Sequence, residues 1–116
     1  MTINIDSVDV LVWGGGTGGA AAAIQAARGG ASTLLLTPGP WLGGMVSAAG
    51  VCCPDGNELS PWQTGLWGAF LRELEQGEAE GLDQNWVSCF GYRPRTAETI
   101  LQNWLHQESR LLWWPG

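Results

Sequence analysis

The sequence has 116 residues, the length of one domain, with 45% hydrophobic and 14% charged side chains, a composition that suits a folded globular protein. Eleven acids stand against five arginines and no lysine, for a formal charge of −6. An acidic chain without a basic cluster excludes nucleic acid as a partner, because such binding rests on neutralising phosphates. No apolar run reaches the roughly 18 residues of a membrane-spanning helix, so no membrane partner is expected.

The start, Met1 to Asp6, lacks the positive and apolar regions of a secretory leader, which points to the cytoplasm. Val8-Asp9-Val10-Leu11-Val12-Trp13 is a β-branched apolar run and reads as a strand buried on both faces, the parallel-sheet kind. It ends in Gly14-Gly15-Gly16-Thr17-Gly18-Gly19. Ala20 to Arg28 is a strong helix former, stopped by Gly29-Gly30 with Arg28 in the last turn. Thr33-Leu34-Leu35-Leu36-Thr37 is a second strand, closed by Pro38. Strand, glycine turn, helix and strand make a βαβ unit over residues 8–37, and with it an α/β fold of the Rossmann-like class with a parallel sheet.

Gly14-x-Gly16-x-x-Gly19 within that unit fits the dinucleotide fingerprint. Gly14 permits the turn out of the strand, Gly16 lets backbone approach a pyrophosphate, and Gly19 lets helix and strand pack closely. Free N–H groups at the helix start meet the phosphate charge, so no lysine is needed. A P-loop is excluded, because Ala20-Ala21 stand where Lys-Ser/Thr would be required. The acid that should hold the ribose hydroxyls at the end of the second strand is replaced by Thr37. Loss of a charge-assisted bond is worth about 1.5–3 kcal/mol, so adenosine binding is expected to weaken by about tenfold to a hundredfold.

Residues 38–60 carry no long element, and Gly43-Gly44 would let backbone come close to a flat ligand or phosphate. Ser47, Ala48 and Ala49 are small enough to begin a helix under such a ligand. Ser60-Pro61-Trp62-Gln63 reads as a capping box. Trp62, Leu66, Phe70 and Leu74 then form the apolar face of a helix running to Gln76. Gly77 to Gly81 reads as a solvated acidic loop. Trp86 to Phe90 suits a short strand, and Thr96 to His106 a second amphipathic helix with Ile100, Leu101, Trp104 and Leu105 inward. Leu111-Leu112-Trp113-Trp114 announces a third strand. Eight tryptophans exceed what so small a core can bury, so some must be exposed, and exposed patches mark interfaces with a complementing chain or a second copy.

Cys52, Cys53 and Cys89 are an odd set without C-x-x-C spacing, and read as reduced, partly buried thiols. His106 is the sole histidine, and the glutamates at 73, 75, 78 and 80 lack companions at ligand spacing, so no metal site is expected.

Two segments carry a family likeness. Asp9 to Gly19, followed by Trp41-Leu42-Gly43-Gly44-Met45-Val46, resembles the amino terminus of FAD-dependent oxidoreductases of the glutathione-reductase/fumarate-reductase superfamily. Asp55 to Leu59 and the helix beyond it are similar to a bacterial branch of that superfamily. The resemblance implies FAD, held at Gly14, Gly15, Gly16, Thr17, Gly18, Gly19, Thr37, Gly43, Gly44 and Met45. It implies hydride or electron transfer between an organic substrate and noncovalent FAD, because no histidine lies near the Gly-Gly loop for covalent attachment. It further implies that the chain is the amino-terminal part of an FAD domain. On that view residues 8–37 form the βαβ unit, 38–60 a flavin-side loop and 61–107 helical segments, without a substrate domain. No catalytic residue is identified, and the small-molecule substrate is open. The opposing expectation is a degenerate fragment, or an interaction subunit that does not hold flavin.

Overall fold

A computed structural model describes residues 3–55, 64–78, 82, 88 and 90–116. Three strands form one parallel sheet: β1 (Val10–Trp13), β2 (Thr33–Thr37) and β3 (Leu111–Pro115). The order is β1-β2-β3, which puts β2 at the centre. Helix α1 (Thr17–Arg28) connects β1 to β2, while α2 (Gly65–Gly77) and α3 (Pro94–Gln107) precede β3. The α/β, Rossmann-like class read from the sequence is the class observed.

Register is set at the lower end of the sheet by Asp9 and Ser32. The Asp9 carboxylate accepts bonds from the Ser32 N–H at 2.8 Å and the Ser32 hydroxyl at 2.9 Å, which hold it below the usual carboxylate range. This clamp aligns Val10 with Thr33, and β3 continues the rows: Val12, Leu35 and Trp113 lie side by side. That row faces the helices and belongs to the main core with Ile24, Leu74 and Leu105.

The opposite face is buried at its centre, where Leu34 is 6% exposed, but open along both edge strands, which corrects the expectation of a first strand buried on both sides. Burial alternates along β1: Leu11 is 58% and Trp13 84% exposed, joined across the sheet by Leu112 and Trp114. The physical reason is that α1 and α3 pack on one face only, together with α2 behind α3. Strand β1 also begins two residues later than its apolar run, because Asp9 is spent on the Ser32 clamp.

Other boundaries move for local reasons. Helix α1 starts at Thr17, so Gly18 and Gly19 lie in its first turn. Helix α3 begins at Pro94, whose missing N–H costs nothing at the first helical position. Ile100, Leu101, Trp104 and Leu105 are all buried, as their spacing predicts. The segment Gly44–Val46 is a single 3₁₀ turn, and no helix follows at Ser47 to Ala49; the Ser47 hydroxyl instead donates to the Leu42 carbonyl. Of the expected strand at 86–90, the described residues Ser88 and Phe90 are not in a strand. Residues 86, 87 and 89 of that strand, and the capping box at 60–63, lie outside the described residues.

Trp104 ties the helix layer together. Its indole N–H donates to Glu73 of α2 at 2.6 Å, and the Arg28 guanidinium of α1 sits 5.4 Å from its ring centroid. Arg28 also bonds Glu108 just beyond α3 at 2.7 Å. Glu78 corrects the picture of a solvated acidic loop: it is buried against the start of α3 and accepts the Arg93 N–H at 2.8 Å. Burial opposes its ionisation, but the Arg93 N–H, the Thr96 hydroxyl and the Arg93 charge together outweigh that and hold its pKa down.

Replacing Glu78 by Ala removes the acceptor of a part-buried bond from the Arg93 N–H and should cost about 0.5–1.5 kcal/mol in urea unfolding. Because the folded carboxyl is the stronger acid, this contribution is complete above the ordinary carboxylate range. It is lost as pH falls through the lowered folded value, so wild type and Glu78→Ala should converge in strong acid.

Candidate cofactor-binding site

The carboxyl end of β1 turns sharply into α1. Gly14 has φ +102° and its N–H donates to the Leu36 carbonyl at 2.7 Å, which keeps the turn beside β2. Gly19 sits so close beneath it that a Cβ there would stand 1.9 Å from the Gly14 carbonyl oxygen. Only glycine fits. Gly16 is the opposite case: a Cβ there would meet no protein atom within 4 Å, because it would project into open space.

The start of α1 is electrically bare. Gly16 is its cap residue, no side chain caps it, and its first turn holds no acid. The first N–H to bond backward is that of Ala20, to the Gly16 carbonyl at 2.9 Å. The N–H groups before it, with the positive end of the helix dipole, form an anion-binding surface.

Gly43-Gly44 is brought against this turn. The Gly43 N–H donates to the Gly15 carbonyl at 2.7 Å, and the Thr17 hydroxyl donates to the Gly43 carbonyl at 2.9 Å. Gly43 and Gly44 have φ +103° and +54°, and a Cβ on Gly43 would lie 2.7 Å from the Ser47 hydroxyl. The two glycine segments, 26 residues apart in sequence, thus make one backbone surface.

Between them and the end of β2 opens a cleft of about 480 Å³. Gly15, Gly16 and Gly44 line it from the glycine surface. Pro38, Gly39, Pro40 and Trp41 form the wall beyond β2. Gly14 and Gly19 shape the turn, Gly18 is exposed on α1, and the Thr17 side chain is directed to the loop. Met45 is 63% exposed and lies outside the lining. The Pro38 to Trp41 wall is absent from the fingerprint reading; its signal was its place just after the carboxyl end of a parallel strand, where clefts open.

Thr37 occupies the position of the expected acid, but its hydroxyl is engaged inside the protein. It donates to the Gly39 carbonyl at 2.7 Å and accepts the Trp113 indole N–H at 2.8 Å, in a side chain only 6% exposed. Its methyl group stands where a Cβ on Gly15 would come within 2.5 Å. The residue joins β2, β3 and the glycine turn.

Elsewhere the chemistry is sparse. Burial pushes the Cys52 thiol up, the reverse of an activated nucleophile. Among the described residues no three His, Cys, Asp or Glu side chains gather as for a metal. His106 lies in the last turn of α3, 6.3 Å from the Trp113 ring. A second, apolar cavity of about 140 Å³ lies between the helices, lined by Phe70, Leu101 and Trp104, and is too small for a nucleotide. No described helix is long and apolar enough to cross a membrane.

Residues 9–114 match the family model described as FAD dependent oxidoreductase, which covers both glycine segments, β1, β2 and all of β3 but its last residue. The cofactor of that family is FAD. A comparison with curated proteins gave no match. The open Cβ position of Gly16 and the uncapped start of α1 suit the diphosphate of such a cofactor.

Two substitutions test the structural side of this description. Gly19→Ala forces a Cβ onto backbone and should destabilise by about 1–3 kcal/mol or more. Thr37→Val leaves the Trp113 N–H without its acceptor and should cost about 1–2 kcal/mol, read from the urea midpoint.

Proposed function

The chain belongs to the family of FAD dependent oxidoreductases, and on that footing we propose that the glycine cleft holds the diphosphate of a noncovalent FAD. The observation that carries this is the open Gly16 position beside an uncapped helix start. When bound, FAD supplies two-electron exchange with an organic substrate. The residues of this chain bind and orient. The first-turn N–H groups of α1 meet the phosphate charge, and Gly44 keeps the cleft floor free of side chains. The Thr17 hydroxyl holds the Gly-Gly loop in place and so sets the width of the cleft.

Membership of the glutathione-reductase/fumarate-reductase superfamily is supported by the strand order, which reads 3-2-1 from one edge, as in a dinucleotide-binding half. Noncovalent attachment is supported by the place of the sole histidine, on the last turn of α3.

FAD titration followed by flavin fluorescence tests the reading. Wild type should take up one FAD and show flavin absorbance. Gly16→Ala should keep wild-type stability, since its Cβ meets no protein atom, yet bind FAD at least about tenfold more weakly by blocking close approach. Wild type that takes up no FAD, or a Gly16→Ala variant that binds it equally well, would sink the proposal.

A second reading draws on the uncovered sheet face. Leu11, Trp13, Leu112 and Trp114 form one exposed apolar surface, which supports an interaction subunit that pairs with a second copy of the chain. Sedimentation would then show a dimer, and Trp13→Glu would return it to a monomer.

A further inference from the structure

The adenosine end of the cleft poses a problem that the fingerprint does not solve. No acid stands at the end of β2, and the Thr37 hydroxyl is spent on Gly39 and Trp113. What replaces it must come from the wall beyond β2, where Trp41 is the one aromatic lining residue. We propose that Trp41 is a stacking platform for the adenine ring, with Arg95 as its positioning residue, and that this pair makes the cleft select FAD over FMN. The proposal rests on the FAD reading above and deepens it.

Three observations support it. The Arg95 guanidinium lies 4.8 Å from the Trp41 ring centroid, yet Arg95 does not line the cleft while Trp41 does. One indole face is therefore covered from α3, and the half-buried ring forms part of the cleft wall. The wall is also stiff. Pro38 and Pro40 restrict its backbone, and the Gln102 amide of α3 donates to the Pro40 carbonyl at 3.3 Å. Finally, the charge laid against the ring is the Arg95 cation, which suits an electron-rich stack.

Base-on-aromatic stacking contributes about 1–3 kcal/mol, and no charged ribose partner is needed for it. A flavin nucleotide without adenosine lacks the base that this platform would stack. That difference makes the idea measurable.

The test compares FAD, FMN and ADP binding, the last by competition with FAD. Trp41→Leu keeps apolar bulk but removes the π-face, and should weaken FAD and ADP about tenfold to a hundredfold while sparing FMN. Trp41→Phe should stay within about threefold of wild type. Arg95→Ala, at an exposed position, should cost FAD and ADP about two- to fivefold, with Arg95→Lys restoring most of it. If Trp41→Leu fails to fold, as seen by circular dichroism, the Arg95 pair decides by the same FAD-to-FMN ratio. Wild type that binds FAD while these variants leave that ratio unchanged overturns the platform alone. Equal weakening of all three ligands likewise overturns it. Wild type that binds neither FAD nor ADP overturns the FAD reading and the platform with it.

Discussion

Two hydrogen bonds, one between backbone groups and one from a side chain, shape this molecule's cleft: Gly43 N–H to the Gly15 carbonyl, and the Thr17 hydroxyl to the Gly43 carbonyl. They join the turn after β1 to the loop after β2, so neither can move without the other. Backbone can come this close only where side chains are missing, which is why the glycines are paired across the contact. Gly19 under Gly14 is the same constraint in the vertical direction, with helix α1 pressed onto its own turn. The outcome is a concave surface of peptide groups facing the positive end of α1. A cation-poor protein can meet an anion there, because partial charges of oriented N–H groups stand in for lysine.

The helix layer supports that surface from below. Trp104 is held between Glu73 and Arg28, and Leu101, three residues earlier on α3, lies beneath Gly43. A Cβ on Gly43 would come within 2.8 Å of the Leu101 side chain, so α3 packing and loop shape are coupled. Among the described helices, α1 and α3 pack on one sheet face, with α2 behind α3. The other face carries as many apolar residues and has no helix among the described residues to cover it.

Thr37 shows how a position can change its role while keeping its place. An acid there would bring charge beside the glycine turn and in reach of a ribose. Threonine instead closes a bond to the Trp113 indole and another to Gly39, so that β3 and the cleft wall depend on one hydroxyl. The cleft wall beyond β2 thereby carries no acid, with Pro38, Pro40 and Trp41 as its surface and Arg95 against the Trp41 ring.

By itself the sequence determined the elements whose causes are local. Periodicity marked the buried face of α3, and β-branched and leucine runs bounded by glycine and proline marked β2 and β3. The spacing of Gly14, Gly16 and Gly19 marked the tight turn between β1 and α1, because Gly14 needs a positive φ and Gly19 the absence of a side chain. Only tertiary structure decided which face of the sheet is covered, since both faces of Leu11–Trp13 and Leu111–Trp114 are apolar and composition cannot rank them. It also decided that Glu78 is a buried brace, through an N–H 15 residues away, and that Thr37 answers to Trp113, 76 residues away. A hydrogen bond between distant residues leaves no local pattern; it exists only once the chain has brought its two ends together.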